Sequence, residues 1–148
     1  MTIQEMNGPA NLRLVERAWV EALNDKSVEQ FLSLHSEGVV LFDPTLAKPL
    51  RGHGELRGLI EGLFRMFPDY HVSKVRSFGQ DEWVCLEAEE TGTMKGPIPG
   101  PGGLMVPPTN RSFKIQSSIV CQTTEGKISE VRIYYDALGL MAQLGLKP

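Results

Sequence analysis

Cysteine is scarce in this chain. Its two thiols, Cys85 and Cys121, stand far apart in β-like stretches. That excludes the dense disulfide framework of small secreted domains, and both are expected as buried thiols. Histidine is nearly as rare. His35, His53 and His71 share no metal-ligand spacing with one another or with the cysteines, so no metal site is expected. No G-x-S-x-G elbow, Walker loop or dinucleotide fingerprint occurs. The glycines of GPIPGPGGL are interrupted by prolines, which lack the N–H groups of a phosphate cradle. No cofactor is expected. Charge of one sign never runs long, and the formal net charge is -3. Arg51, Arg57, Arg65, Lys74 and Arg76 are scattered, which argues against a nucleic-acid partner. No apolar run reaches bilayer length, and the opening residues lack a basic stretch followed by an apolar one. No membrane partner is expected, and the cytoplasm is the expected location.

What is present suits one domain, 1–148, with one hydrophobic core. Leu12, Val15, Trp19 and Ala22 recur at helical spacing, and Pro9 suits the first turn of that helix. Ser27 with Gln30 caps a short second helix containing Val28, Phe31 and Leu32. A short strand follows, Val39 to Asp43. Gly54 to Phe67 reads as a third helix with the stripe Leu56, Leu59, Ile60, Leu63, Phe64 and Phe67, stopped by Pro68. Gly58 and Gly62 share one face of it, through close packing or simple tolerance. Strands are expected over Tyr70 to Gly79, Glu82 to Met94, Arg111 to Thr123 and Lys127 to Tyr135, with Thr124, Glu125 and Gly126 as the last turn. The Gly96 to Pro108 loop is too rich in Pro and Gly for regular structure, and covers a pocket mouth or edges a dimer contact. Asp136 heads a terminal helix with Leu138, Met141 and Leu144. Helices first and antiparallel strands afterwards indicate an α+β fold.

Three stretches carry a resemblance: FPDYHV (Phe67 to Val72), GTMKG followed by PPTNRSF (Gly92 to Phe113), and GKISEVRIYYDALGLMAQLGL (Gly126 to Leu146). Together they resemble the SnoaL-like polyketide cyclases, within the superfamily shared with nuclear transport factor 2 and steroid isomerase. The resemblance implies a cone: a strongly bent antiparallel sheet wrapped around three N-terminal helices, with a short C-terminal helix and a deep pocket. It also implies an intramolecular aldol step, driven by a carboxylate on the last strand and a histidine on the preceding one. Matched by motif, those positions hold Ile133 and Ile119, which move no proton. A histidine frequent in the GT-H-x-G segment is replaced by Met94, and a pocket Asn falls close to Asp43.

Other groups must therefore carry any acid–base chemistry. Glu90 continues the apolar alternation of Val84, Leu86 and Ala88. A carboxylate there is either desolvated and suited to proton transfer, or turned back to water by a bulge. Asp43 is either a turn carboxylate before Pro44 or an acid/base at the pocket rim. Tyr135 shares a face with Ile133. It either offers a phenol to a substrate carbonyl or stands as an amphipathic ring at the core edge. The expected pocket wall is Trp19, Phe42, Phe64, Phe67, Leu86, Met94, Ser117, Ile119 and Ile133. His71 reads as structural or solvated. Two readings follow for the pocket: a cofactor-independent isomerase, cyclase or dehydratase acting on an apolar carbonyl compound, or a non-catalytic binder of a hydrophobic metabolite. A homodimer through the outer sheet face fits either, with Lys114, Gln116, Ser118 and Gln122 making that face polar.

Overall fold

Apolar residues at three- and four-residue spacing wind the start of the chain into a helix. The computed structural model describes residues 3–147. Helix α1 (Ile3–Glu16) runs directly into a π-helical turn, Arg17–Ala22. That turn buries Ala18, Trp19 and Ala22. Pro9 lies inside α1 and not in its first turn, because the helix extends further back than expected. Ser27 then caps α2 (Val28–Ser33), its Oγ accepting from the Gln30 N–H at 3.2 Å.

β1 (His35–Phe42) begins four residues before the expected strand and ends before Asp43. β2 (Leu50–Arg51) leads into α3 (Gly52–Met66). A Cβ added at Gly58 would meet nothing, and one at Gly62 only the Arg65 side chain, so close packing does not explain these glycines. β3 (His71–Gln80) and β4 (Trp83–Thr93) form a hairpin. The Pro/Gly loop contains a small hairpin of its own, β5 (Ile98–Pro99) with β6 (Met105–Val106). Regular pairing was not expected there. The ladder is only two residues long and uses the carbonyls and N–H groups the prolines leave intact. β7 (Ser112–Thr124) and β8 (Lys127–Tyr135) join through Glu125 and Gly126, both with positive φ, the backbone a tight two-residue hairpin turn requires. α4 (Ala137–Leu144) closes the chain, capped by Asp136, whose Oδ1 accepts from the Gly139 N–H at 2.8 Å.

The main sheet has the order β2-β1-β8-β7-β4-β3. Every pair is antiparallel except β1 with β8, which run parallel. The exception arises because β1 belongs to the helical half and joins the last strand only after the chain has crossed over. Register shifts at 35/40, 74/76 and 122/123 bend the sheet. Its inner face carries Val84, Leu86, Ala88, Ile119, Cys121 and Val131, all buried against Leu56 and Ile60 of α3 and the π turn. Its outer face carries a row in register across five strands: Phe78, Cys85, Val120, Arg132 and Phe42. Cys121 is buried as expected, but Cys85 lies on the outer face and is only partly covered. No described helix is long and apolar enough to cross a membrane.

One buried polar contact ties the helices to β1. The Trp19 indole Nε1–H donates to His35 Nε2 at 3.2 Å, while His35 Nδ1 lies 2.7 Å from the Phe31 carbonyl. Nδ1 therefore holds the proton and the imidazole is neutral, with both nitrogens satisfied. Burial pulls its pKa down to about 4; the bond to Phe31 opposes this, and His53 adds to the lowering. In the unfolded chain His35 titrates near 6.5. Between those values the unfolded state binds more protons, so stability is full above pH 6.5 and falls as pH drops towards 4. Urea unfolding at pH 4.5 is expected to show a loss of about 2 kcal/mol from this group relative to pH 7.5. That part of the acid sensitivity should vanish in His35→Gln. An unchanged slope in the variant would remove His35 as its cause.

Candidate functional site

Between α3 and the inner sheet lies a cavity of about 190 Å³. Leu59, Ile60, Leu63 and Met66 of α3 form one wall. Phe113, Ile115 and Ile133 of β7 and β8 form the opposite one. Trp19 closes it at the π turn, and Leu140 of α4 roofs it. α4 is held in that position by a side chain that imitates a strand. Beyond the end of the β7–β8 ladder, Gln143 Oε1 accepts from the Lys114 N–H at 2.7 Å and Gln143 Nε2 donates to the Lys114 carbonyl at 3.1 Å. Leu144 is buried beside this clasp. A second depression, of about 490 Å³ between Asn11, Asp81 and the Thr123–Gly126 turn, is larger but open and polar, with no inward-facing ring. The smaller one is the more apolar, and it holds Asp43, Glu90 and Tyr135, the three acid–base candidates of the sequence.

Two phenols and two carboxylates share that cavity: Tyr70 with Glu90, and Tyr135 with Asp43. β4 alternation carries Glu90 inward alongside Leu86 and Ala88, and no bulge on β4 turns it out. The Tyr70 hydroxyl donates to Glu90 Oε1. Burial first, then the charge of Glu90, holds the Tyr70 phenol well above its ordinary pKa, so it stays a proton donor. Asp43 sits just past β1 in an Asx-type turn. Its Oδ1 accepts from the Thr45 N–H at 2.8 Å and the Thr45 hydroxyl at 2.6 Å. The turn role and the cavity position are thus the same residue at once. The Tyr135 hydroxyl lies 3.5 Å from Asp43 Oδ1, at the long limit of a hydrogen bond, which leaves it free to turn to a ligand. Burial, with the charge of Asp43 next and that of Glu90 after the opposing Thr45 bond, pushes the Tyr135 phenol up to about 12.

Of the expected wall, Trp19, Phe67 and Ile133 line the cavity. The other six do not. Phe42 points to the outer face, where the Arg132 guanidinium covers its ring at 4.0 Å, because β1 turns Val39 and Leu41 inward. Phe64 lies on the flank of α3 with the Lys26 ammonium 5.3 Å from its ring centre. Leu86, Met94 and Ile119 are packed solid in the core. Ser117 faces inward but is buried, and its Oγ has no partner among the described residues. Ile119 and Ile133 are direct cross-strand partners, so an apolar pair occupies the two positions where the family resemblance implies acid and base. The sequence reading missed Tyr70 and Thr45, whose partners lie across a hairpin or a turn. Among the described residues, no three His, Cys, Asp or Glu side chains cluster as metal ligands.

Residues 13–144 match the family model described as SnoaL-like polyketide cyclase, and the chain belongs to that family. A search of curated proteins found no match. Among solved structures, a protein described as a SnoaL-like polyketide cyclase from Jannaschia sp. CCS1 superposes with a TM-score of 0.81 at 20% identity, over 95% of each chain. IdmH from Streptomyces antibioticus, described as a polyketide cyclase, gives 0.72 at 22% identity, over 92% of this chain and 99% of its own. A LEH-like epoxide hydrolase from M. tuberculosis gives 0.70 at 17%, over 93% of this chain and 90% of its own. At such identities the likeness shows the shared cone and nothing about substrate.

The electrostatic account of Tyr135 can be measured directly. Its ring signal, followed by NMR through an alkaline titration, should ionise near pH 12 in the native chain. Asp43→Asn should move that midpoint down by part of the shift, since burial remains. A midpoint unmoved by the substitution would separate the two groups.

Proposed function

We infer that this chain is a cofactor-independent enzyme of the isomerase, cyclase or dehydratase kind, acting by general acid–base catalysis on a small apolar carbonyl compound. The observation that carries this reading is the pairing of a proton acceptor, Glu90, with a free phenol donor, Tyr135, on one apolar cavity. Proton abstraction next to a carbonyl needs those two parts: a base at the carbon and a hydrogen-bond donor where negative charge develops on oxygen. Tyr70 fixes one oxygen of Glu90 and leaves the other without a partner, able to take the proton. Tyr135 donates to the enolate oxygen. The cavity is smaller than the ~300–1,000 Å³ of most ligand pockets, which favours a molecule of one or two rings over a polycycle.

Base-catalysed hydrogen exchange of small cyclic ketones in D₂O, followed by NMR, tests this. The wild-type chain should accelerate exchange. Glu90→Gln should lower the rate by roughly 100-fold or more, the usual contribution of a positioned base, and Tyr135→Phe should lower it as well. Full activity in Glu90→Gln, Asp43→Asn and Tyr135→Phe alike would falsify the assignment. The second reading, a binder that holds a hydrophobic metabolite without changing it, is favoured by Ile119 and Ile133 at the family's acid–base positions.

Either role is compatible with a homodimer through the outer sheet face. Phe78, Trp83 and Tyr134 are exposed there. Around them lie the mixed-sign pairs Arg76–Glu87 and Lys114–Glu89, a pattern that can complement itself about a two-fold axis. Light scattering after size exclusion should give twice the chain mass. Phe78→Glu should return it to monomer; a wild-type monomer at high concentration removes this interface.

A further inference from the structure

The proposed reaction needs one carboxylate, yet the cavity holds two. Asp43 and Glu90 both line it, and among the described residues no Lys, Arg or His side chain does. Each acid is anchored through a single oxygen: Asp43 Oδ1 by Thr45, Glu90 Oε1 by Tyr70. Asp43 Oδ2 and Glu90 Oε2 accept no hydrogen bond among the described residues. The remaining polar surface is small, and five aromatic side chains contribute to the wall: Trp19, Phe67, Tyr70, Phe113 and Tyr135.

Hydrogen bonds serve one oxygen of each carboxylate, and a counter-charge on the ligand is the strongest partner for the other. Aromatic faces favour the same guest, because the negative face of each ring attracts a cation, most strongly for Trp. Among the described residues, the nearest cationic side chain to Tyr70 is Lys26. It stands behind the ring, its Nζ 6.0 Å from the ring centre and bonded to the Tyr70 carbonyl at 2.6 Å, and it does not line the cavity. Burial chiefly raises the pKa of Tyr135, and the charges of Asp43 and Glu90 add to it.

We propose that the molecule this cavity takes carries a cationic nitrogen, as a small protonated or quaternary amine, beside the carbonyl group. This rests on the acid–base reading of the same site and divides the labour of its two acids. Glu90 moves the proton at carbon. Asp43, with the rings of Trp19 and Tyr135, holds the ammonium.

Choline and 3,3-dimethylbutan-1-ol test the charge alone, since they differ only by nitrogen cation against neutral carbon. Both are titrated into the full chain, with the Trp19 indole signal followed by NMR. Choline is expected to bind at least about tenfold more tightly, a difference of about 1.4 kcal/mol. Asp43→Asn should reduce that preference towards parity while leaving the alcohol's affinity unchanged, which also reports that the variant is folded. Equal or tighter binding of the alcohol, or no binding of choline, overturns the proposal. The two readings fail separately. Glu90-dependent ketone exchange without choline preference leaves the enzyme reading and removes the cation. Choline preference without Glu90-dependent exchange does the reverse.

Discussion

The register of β4 decides what this cavity can do. Successive side chains on a strand alternate between faces, so a slip of one residue would bring Glu89 inward and send Glu90 to solvent. Val84, Leu86 and Ala88 forbid that slip, because all three are buried on the inner face and would be exposed together. The hydrophobic effect that packs the core thus delivers one carboxylate to an apolar wall as a by-product of strand geometry. Tyr70 then makes the position tolerable. Its phenol donates the charge-assisted hydrogen bond that a half-buried acid requires. Without that register Glu90 would leave the cavity, and Asp43 would be its one carboxylate among the described residues.

Trp19 is fixed by a different route. It lies in the π turn, on the buried stripe it shares with Val15 and Ala22; its ring reaches the cavity wall, and His35 holds its indole nitrogen. A neutral imidazole is suited to this role because it can accept at one nitrogen and donate at the other. The cavity is thus bounded on one side by sheet register and on the other by a helix irregularity. π turns are frequent at functional sites.

Local patterns in the sequence were enough to place most elements. Ser27 and Asp136 act as caps, Glu125–Gly126 as the hairpin turn, and the alternation around Glu90 places that side chain correctly. What local pattern cannot carry is pairing across distance. The parallel junction of β1 with β8 joins residues about ninety positions apart, and no periodicity records it. Phe42 was misplaced because the inner face of β1 goes to Val39 and Leu41, and alternation then puts Phe42 outside. Leu86, Met94 and Ile119 share the inward face, but depth separates core from cavity, and one-dimensional alternation carries no depth. Tyr70 is the instructive omission: it lies just ahead of the first strand of a hairpin, and only folding that hairpin back sets it against Glu90.

Gln143 gives the fold one further property. A primary amide carries a donor and an acceptor in the geometry of a peptide group, and here it continues the β7 ladder where β8 has ended. The terminal helix is attached to the sheet at a few discrete points, among them this amide and the buried Leu144. The bent sheet does not need the helix for its own hydrogen bonding. The roof and the vessel can therefore vary independently. A lineage could exchange the last dozen residues, and with them the volume and admission rules of the chamber, while its two carboxylates stay where β4 and the end of β1 hold them.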